Sequence, residues 1–254
     1  MSFGAEAGWA PCSVGNAPLF RGVSPVAAVV DERFLLSDRQ RDDLLNRIGQ
    51  CPRNGRPLRA FLSSVALAAL RPHEALALRV RDANLPNQGP GELMVLPGRL
   101  RSGDEAVEGV GVVRVVPASP ELVEILKAEV ARRGLGPVDL MFTRDDGRPL
   151  PGAVYRKAWR SAREAVLEPH EFSSPLGRRV SDLRDTCIAT WLSGHRTAWD
   201  ISNLADRTGI SVSALARRFP HCFQPPASAE ASNALIEAAF CTAGPERAPT
   251  HAAR

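Results

Sequence analysis

The sequence contains one tyrosine, Tyr155, and only two lysines, Lys127 and Lys157, among its 254 residues. Any reaction that needs a phenolic hydroxyl therefore depends on one position, and any that needs a lysine amine depends on two. No stretch approaches about eighteen consecutive apolar residues, so we expect no membrane-spanning helix. The first residues lack a basic stretch followed by an apolar run, which argues against a secretory signal.

Cysteine is also sparse. The five cysteines are scattered, odd in number and never spaced as C-x-x-C. This pattern argues against a zinc site and against a disulfide framework, and it favours free thiols in a reducing compartment. We therefore expect a cytoplasmic protein that binds no metal and no cofactor.

Positive charge is carried almost entirely by arginine, because only two of the 32 basic residues are lysine. Guanidinium groups bind phosphate oxygens bidentately, so a phosphate-binding surface is one interpretation. The other is a GC-rich genome that encodes basic residues as arginine. Composition alone favours the second, because a net charge of +4 falls short of a strongly basic protein.

Capping residues and hydrophobic periodicity predict a mainly helical protein. Ser37 is placed to cap a first helix, and Pro72 to begin a later one. Ser119 and Pro120 begin the clearest helix, which Gly134 ends. Further helices are predicted over 58–70, 152–166, 178–194, 197–209, 211–219 and 228–240.

Two β-branched apolar segments, 92–97 and 111–117, predict a pair of strands, and 139–143 predicts a shorter strand. The expected fold class is α+β, mainly α with a small antiparallel β-sheet. We expect three regions along the chain. These are an irregular arm at 1–30, the folded domain at 31–240 and a disordered tail at 241–254.

Two arginines lie at the margins of hydrophobic segments. Arg71 follows a buried helix in A-L-R-P-H-E, and Arg184 lies within S-D-L-R-D on a helix with an apolar face. A permanently charged side chain in such a place needs an anionic partner. One interpretation is an internal salt bridge, to Glu74 or to Asp185, and the other is an anionic ligand.

Taken together, ALRPHEALAL, the hairpin, SDLR and LADRTGISVSALARRFPHC resemble the catalytic domain of the tyrosine recombinases (phage integrases), particularly the actinobacterial type. The resemblance covers about residues 26 to 240. It implies the fold of that domain and double-stranded DNA as partner. It maps the two catalytic arginines of the family onto Arg71 and Arg184, which would clamp the non-bridging oxygens of a phosphate.

Other family positions carry different residues here. Ser181 stands where the family has histidine or tyrosine three residues before the second arginine, and Asp185 follows that arginine where histidine is common. Ile210 replaces the imidazole or indole that would help hold the phosphate. Phe219, in R-R-F-P-H-C, falls on the nucleophilic tyrosine and has no oxygen to attack phosphorus.

The general acid of the family is missing as well. It is a lysine in the hairpin loop, and neither lysine of this chain lies there. Arg99, Arg101 and Arg114 are near the loop, but a guanidinium is a poor proton donor.

Three residues could be considered as substitute nucleophiles. Tyr155 lies on a different helix, and His221 and Cys222 have no evident base nearby. For all three, packing or exposure is the favoured interpretation.

The sequence therefore predicts a degenerate, integrase-like DNA-binding protein without strand cleavage, with an accessory or regulatory role in DNA recombination or integration. Arg178 and Arg179 are expected to contact DNA phosphates alongside the two mapped arginines. A second hypothesis is an active integrase whose nucleophile is non-standard or supplied in trans. A third is an interaction module whose C-terminal helix, 228–240, docks on another copy or on a recombinase partner.

Overall fold

The computed structural model describes residues 28–96, 100–102, 105–107, 113–194 and 197–223. No helix within these ranges is both long and apolar enough to cross a membrane. The predicted helix at 228–240, the tail at 241–254 and all but the last three residues of the predicted arm lie outside the described residues.

The described part of the chain is mainly helical. Its α-helices are α1 (Asp38–Gly49), α2 (Gly55–Leu67), α3 (Pro72–Ala77), α4 (Pro120–Arg133), α5 (Gly152–Val166), α6 (Pro169–Ser173), α7 (Val180–Gly194), α8 (Ala198–Thr208) and α9 (Val212–Arg218). Its strands are β1 (Ala83–Asn84), β2 (Gly91–Val95), β3 (Leu100–Ser102), β4 (Glu105–Val107) and β5 (Arg114–Ala118).

The ends of the clearest helices follow the predicted capping residues. The Ser37 hydroxyl accepts a hydrogen bond from the Gln40 backbone amide at 3.2 Å, and the Gln40 side-chain Oε1 accepts one from the Ser37 backbone amide at 3.0 Å. The Ser119 hydroxyl caps α4 by accepting a hydrogen bond from the Leu122 amide at 3.3 Å. Gly134 ends that helix with φ of 60°, a left-handed conformation that glycine adopts without a Cβ clash.

The sheet is antiparallel with strand order β1-β2-β5, and β3 pairs with β4 separately. In the register of β2 and β5, Leu93 lies opposite Val116 and both are buried, whereas the neighbouring pair Met94 and Val115 is exposed. The strand alternation therefore places one face of the sheet on the core. These helices and this sheet confirm the predicted α+β class.

The strand predicted at 139–143 is wrong. Only isolated bridges occur here, between Arg79 and Leu140 and between Thr143 and Pro149. Met141, Phe142 and Thr143 are all buried in succession, so the segment lacks the alternation of a sheet strand. It runs through the core as irregular chain between the two bridges instead.

Helix α2 lies at the centre of the core, as its apolar sequence predicts. Its residues from Leu58 to Ala66 are buried apart from Arg59, and it packs against α1, α4 and α7. A second group of buried side chains, which we call the C-terminal cluster, comes from Ala69 and from helices α7 to α9 with the residue that follows α9. Its members are Ala69, Cys187, Ile188, Ala189, Leu192, Leu204, Ala205, Leu215 and Phe219.

Candidate functional site

The turn between α2 and α3 places the first mapped arginine. Ala69 has φ of 48°, in the left-handed region, which costs a non-glycine residue about 1 kcal/mol. The residue is buried, and its carbonyl accepts a hydrogen bond from the Arg184 Nε at 2.7 Å. Arg71 follows two residues later as the N-cap of α3. The turn therefore carries one mapped arginine and accepts a hydrogen bond from the other.

Arg184 is almost completely buried on α7, with 8% of its surface exposed. Its second hydrogen bond runs from Nη2 to the Thr208 carbonyl at 2.6 Å. Burial, followed by the charge of nearby Arg71, lowers the pKa of Arg184 to about 10, so the side chain stays protonated at neutral pH. Asp185, its proposed salt-bridge partner, instead accepts two hydrogen bonds from the Arg218 Nη2, at 2.9 and 2.8 Å.

Arg71 combines a salt bridge with partial exposure. Its Nη1 lies 3.2 Å from the Glu74 Oε1, and its backbone amide donates to the Glu74 Oε2 at 2.7 Å. Its Nη2 donates to the Gly209 carbonyl at 3.2 Å. Because 39% of the side chain remains exposed, Arg71 presents positive charge to solvent despite its carboxylate partner.

Arg114 is a third arginine at this place, and sequence reasoning considered it only as a proton donor near the hairpin. It donates to both Glu74 carboxylate oxygens, Nη1 at 2.8 Å and Nη2 at 2.6 Å. Its Nε donates to the Arg207 carbonyl at 2.9 Å. The sequence feature that could have singled out Arg114 is its position as the one charged residue inside the apolar segment G-V-V-R-V-V-P.

Three arginines meet at the C-terminal end of α8. They are Arg71, Arg114 and Arg184, and we call them the three-arginine cluster. They donate in turn to the carbonyls of Gly209, Arg207 and Thr208. Carbonyls in the last turn of a helix have no intrahelical partner and carry the negative end of its dipole, so guanidinium groups fit there.

Glu74 is the carboxylate that binds this cluster, through Arg114 and Arg71. Burial alone would raise the pKa of Glu74, but hydrogen bonds from the Arg114 side chain and the Arg71 amide outweigh burial and lower it. Glu74 is therefore ionised at neutral pH. Three guanidinium charges against one carboxylate leave an excess of positive charge that suits an anionic ligand.

The other mapped positions fall in two places. Phe219 is completely buried in the C-terminal cluster, and Ile210 packs against the same cluster from its edge. Ser181 lines a cavity between α5 and α7 together with Arg178 and Arg179. The structure thus brings Ser181 to the two predicted phosphate contacts, and places Phe219 and Ile210 in hydrophobic packing.

The segment before α1 closes over the C-terminal cluster. The Val30 amide donates to the Arg218 carbonyl at 2.8 Å, and the Arg218 Nη1 donates to the Ala28 carbonyl at 3.3 Å. Val30 and Leu35 pack against the cluster. This segment helps to exclude solvent from the Phe219 ring.

The candidate substitute nucleophiles have packing roles. The Tyr155 ring lies against Phe61 with ring centroids 5.1 Å apart. The His221 ring meets the Phe219 ring edge-on at 6.2 Å. Burial raises the pKa of the Cys222 thiol, which disfavours the thiolate that nucleophilic attack requires.

Solved structures show which proteins share this fold. XerH site-specific recombinase bound to difH substrate is 19% identical with a TM-score of 0.51, covering 73% of this chain and 49% of that protein. XerA recombinase is 15% identical with a TM-score of 0.53, covering 84% and 65%. A variant of the Tn1549 transposon integrase in complex with a circular intermediate DNA is 16% identical with a TM-score of 0.61, covering 82% and 67%.

The chain spans about half to two thirds of the length of these structures. No family model and no curated protein matches the sequence. The likeness in structure agrees with the R-P-x-E and S-D-L-R motifs that carry the resemblance in sequence. The chain therefore has the fold of the tyrosine recombinase catalytic domain.

Proposed function

We propose that the protein binds duplex DNA without cutting it, and that it serves DNA recombination or integration as an accessory or regulatory component. The observation that carries this proposal is the three-arginine cluster, in which Glu74 pairs with Arg71 and Arg114 while Arg184 donates to backbone carbonyls. Structural neighbours that hold DNA, XerH and the Tn1549 integrase, support the choice of ligand.

The cluster is suited to a phosphate because its charges are held in position before a ligand arrives. Backbone carbonyls at the end of α8 fix all three guanidinium groups, so little side-chain entropy remains to be lost on binding. Arg71 is the most exposed of the three and would make the direct contact. Arg184 and Arg114, being more buried, would add positive potential behind it.

The absence of cleavage is inferred from Phe219. Its phenyl ring carries no nucleophilic oxygen, and it is packed among the apolar side chains of the C-terminal cluster. Arg114, on β5, donates to the same Glu74 carboxylate as Arg71 and therefore lies beside that arginine. Its guanidinium group is a poor general acid.

We expect duplex DNA to be retarded in a native gel, with affinity that falls steeply as salt increases. Each phosphate contact contributes a slope of about −0.9 in log K against log salt. Arg71→Ala should weaken binding by about tenfold at low salt and lower that slope by about one, because it removes one phosphate contact. The exposed Arg39→Ala on α1 removes the same charge and serves as control.

Equal affinities and equal salt slopes for wild type, Arg71→Ala and Arg39→Ala would exclude the cluster as the DNA site. Arg184→Ala is a less useful variant for this purpose. It leaves the Ala69 and Thr208 carbonyls without their donor inside the protein and is expected to destabilise the fold.

A further inference from the structure

A second group of arginines, none of them a member of the three-arginine cluster, lines a cavity. Between α5, α6 and the beginning of α7 is a cavity of about 610 Å³, within the range of about 300 to 1,000 Å³ that is usual for small-molecule sites. Five arginines line it, and among the described residues no carboxylate does. The five are Arg156, Arg160, Arg163, Arg178 and Arg179.

Arg163 shows that this charge is incompletely satisfied. The residue is 4% exposed, and its Nη2 donates only to backbone carbonyls, to Phe172 at 3.1 Å and to Ser174 at 3.5 Å. Its Nε is buried and has no hydrogen-bond partner. Burial lowers the pKa of Arg163, in keeping with a buried cation that lacks a directly bound anion. An anionic ligand in the cavity would supply the missing negative charge.

One carboxylate beside the cavity, Asp182, pairs with a single arginine of the five. Asp182 is bonded to Arg179, at 3.3 Å from its Nε, and acts on Arg163 only through space. Val180 and Ser181, the first two residues of α7, line the cavity as well. The positive end of that helix dipole adds to the five arginines, so the cavity favours a ligand of several negative charges.

Aromatic side chains form another part of the wall, beside a proline, a valine and three serines. Tyr155, Trp159 and Phe172 line the cavity. The Arg156 guanidinium lies 5.7 Å from the Tyr155 ring centroid, and the Arg163 guanidinium lies 5.2 Å from that of Phe172. Aromatic rings and flat guanidinium groups both stack on nucleobases. The wall therefore suits a planar ring next to the anionic end of a ligand.

We propose that this cavity is a binding site for a nucleoside polyphosphate, with the phosphates on the arginines and the base against the aromatic wall. Arg178 and Arg179 also belong to the predicted DNA contacts, so a bound nucleotide would compete with DNA. Nucleotide binding itself does not depend on DNA binding, and the two can fail separately.

The test is a fluorescence titration of the full chain with N-methylanthraniloyl-ATP, without DNA and with a chelator to remove divalent metals. We expect saturable binding with a Kd below about 1 mM. Unlabelled ATP should displace the probe at least about ten times more effectively than inorganic tripolyphosphate, because only ATP offers a base to the aromatic wall. No saturable binding, or equal displacement by the two competitors, would overturn the proposal.

Variants locate the site. Arg160→Ala, on the exposed rim, and Arg163→Met, in the wall, should each weaken probe binding by about tenfold, whereas the exposed Arg148→Ala should not. Thermal melts show whether the Arg163→Met protein folds. If that protein does not fold, probe binding by Arg160→Ala alone tests the site. Unchanged binding by Arg160→Ala would refute the assignment.

Duplex DNA added to the titration separates the two proposals. Displacement of the probe is expected if Arg178 and Arg179 serve both ligands. Probe binding that DNA leaves unchanged would keep the nucleotide site and contradict only the proposed DNA contacts. Probe binding that is absent while DNA is still retarded in the gel would remove the nucleotide site and keep DNA binding.

Discussion

Glu74→Gln is expected to lower the free energy of unfolding by about 3 kcal/mol. The Glu74 side chain is 7% exposed and accepts hydrogen bonds from both Arg114 and Arg71. Glutamine has the same shape but no charge, so Arg114 would be left in a buried place without its anion. Urea unfolding at neutral pH measures the loss.

The same substitution should tighten DNA binding. It leaves three guanidinium groups at the end of α8 with no carboxylate between them, which adds about 1 kcal/mol of attraction for a phosphate at low salt. This corresponds to roughly fivefold in affinity. The gel-retardation assay is run at a temperature at which the variant remains folded.

Glu124→Gln is the matched control, because it makes the same change in net charge. Glu124 is an exposed residue of α4 whose carboxylate lies 3.1 Å from the Lys127 amine, so its loss should cost at most about 0.5 kcal/mol. DNA affinity that rises equally in both variants would mean that only total charge matters. That result would contradict a DNA site at the three-arginine cluster.

Phe219→Ala is expected to destabilise the protein by about 4 kcal/mol. The ring is completely buried, and its neighbours in the C-terminal cluster come from α7, α8 and α9. Removing it opens a cavity that these helices can fill only in part. Thermal or urea unfolding, followed by far-UV circular dichroism, measures the effect.

Phe219→Leu is the conservative comparison, and its cost should be about 1.5 kcal/mol because most of the volume is kept. DNA binding by the folded Phe219→Leu protein should equal that of wild type, since the proposed contacts lie elsewhere. A cost below about 1 kcal/mol for Phe219→Ala would show that position 219 is not part of the core.

Local signals predicted much of the fold and part of the site. Caps such as Ser37 and Ser119 act within a few residues, so the sequence predicts where their helices begin. Arg71 and Arg184 could be singled out because each lies beside an apolar segment and within a short motif. Their partners could not be predicted, because the end of α8 lies 138 residues from Arg71 along the chain.

The parts that were missed depend on tertiary packing. Arg114 joins Glu74 across 40 residues, and only the pairing of β5 with β2 and the approach of α8 bring it there. The cavity likewise needs α5 and the beginning of α7 to lie near each other. The wrongly predicted strand at 139–143 is apolar enough for a strand, but Met141, Phe142 and Thr143 are buried one after another, without the alternation of a sheet strand.

The central claim is that the protein holds duplex DNA without forming a covalent bond to it. The most direct test incubates wild type and Phe219→Tyr with a pool of nicked suicide duplexes, then compares native with denaturing gels. We predict a retarded complex in the native gel for both proteins and no protein–DNA adduct after denaturation, because the general acid and supporting imidazole are also missing. A covalent adduct with either protein, or no native complex even at low salt, would contradict the account.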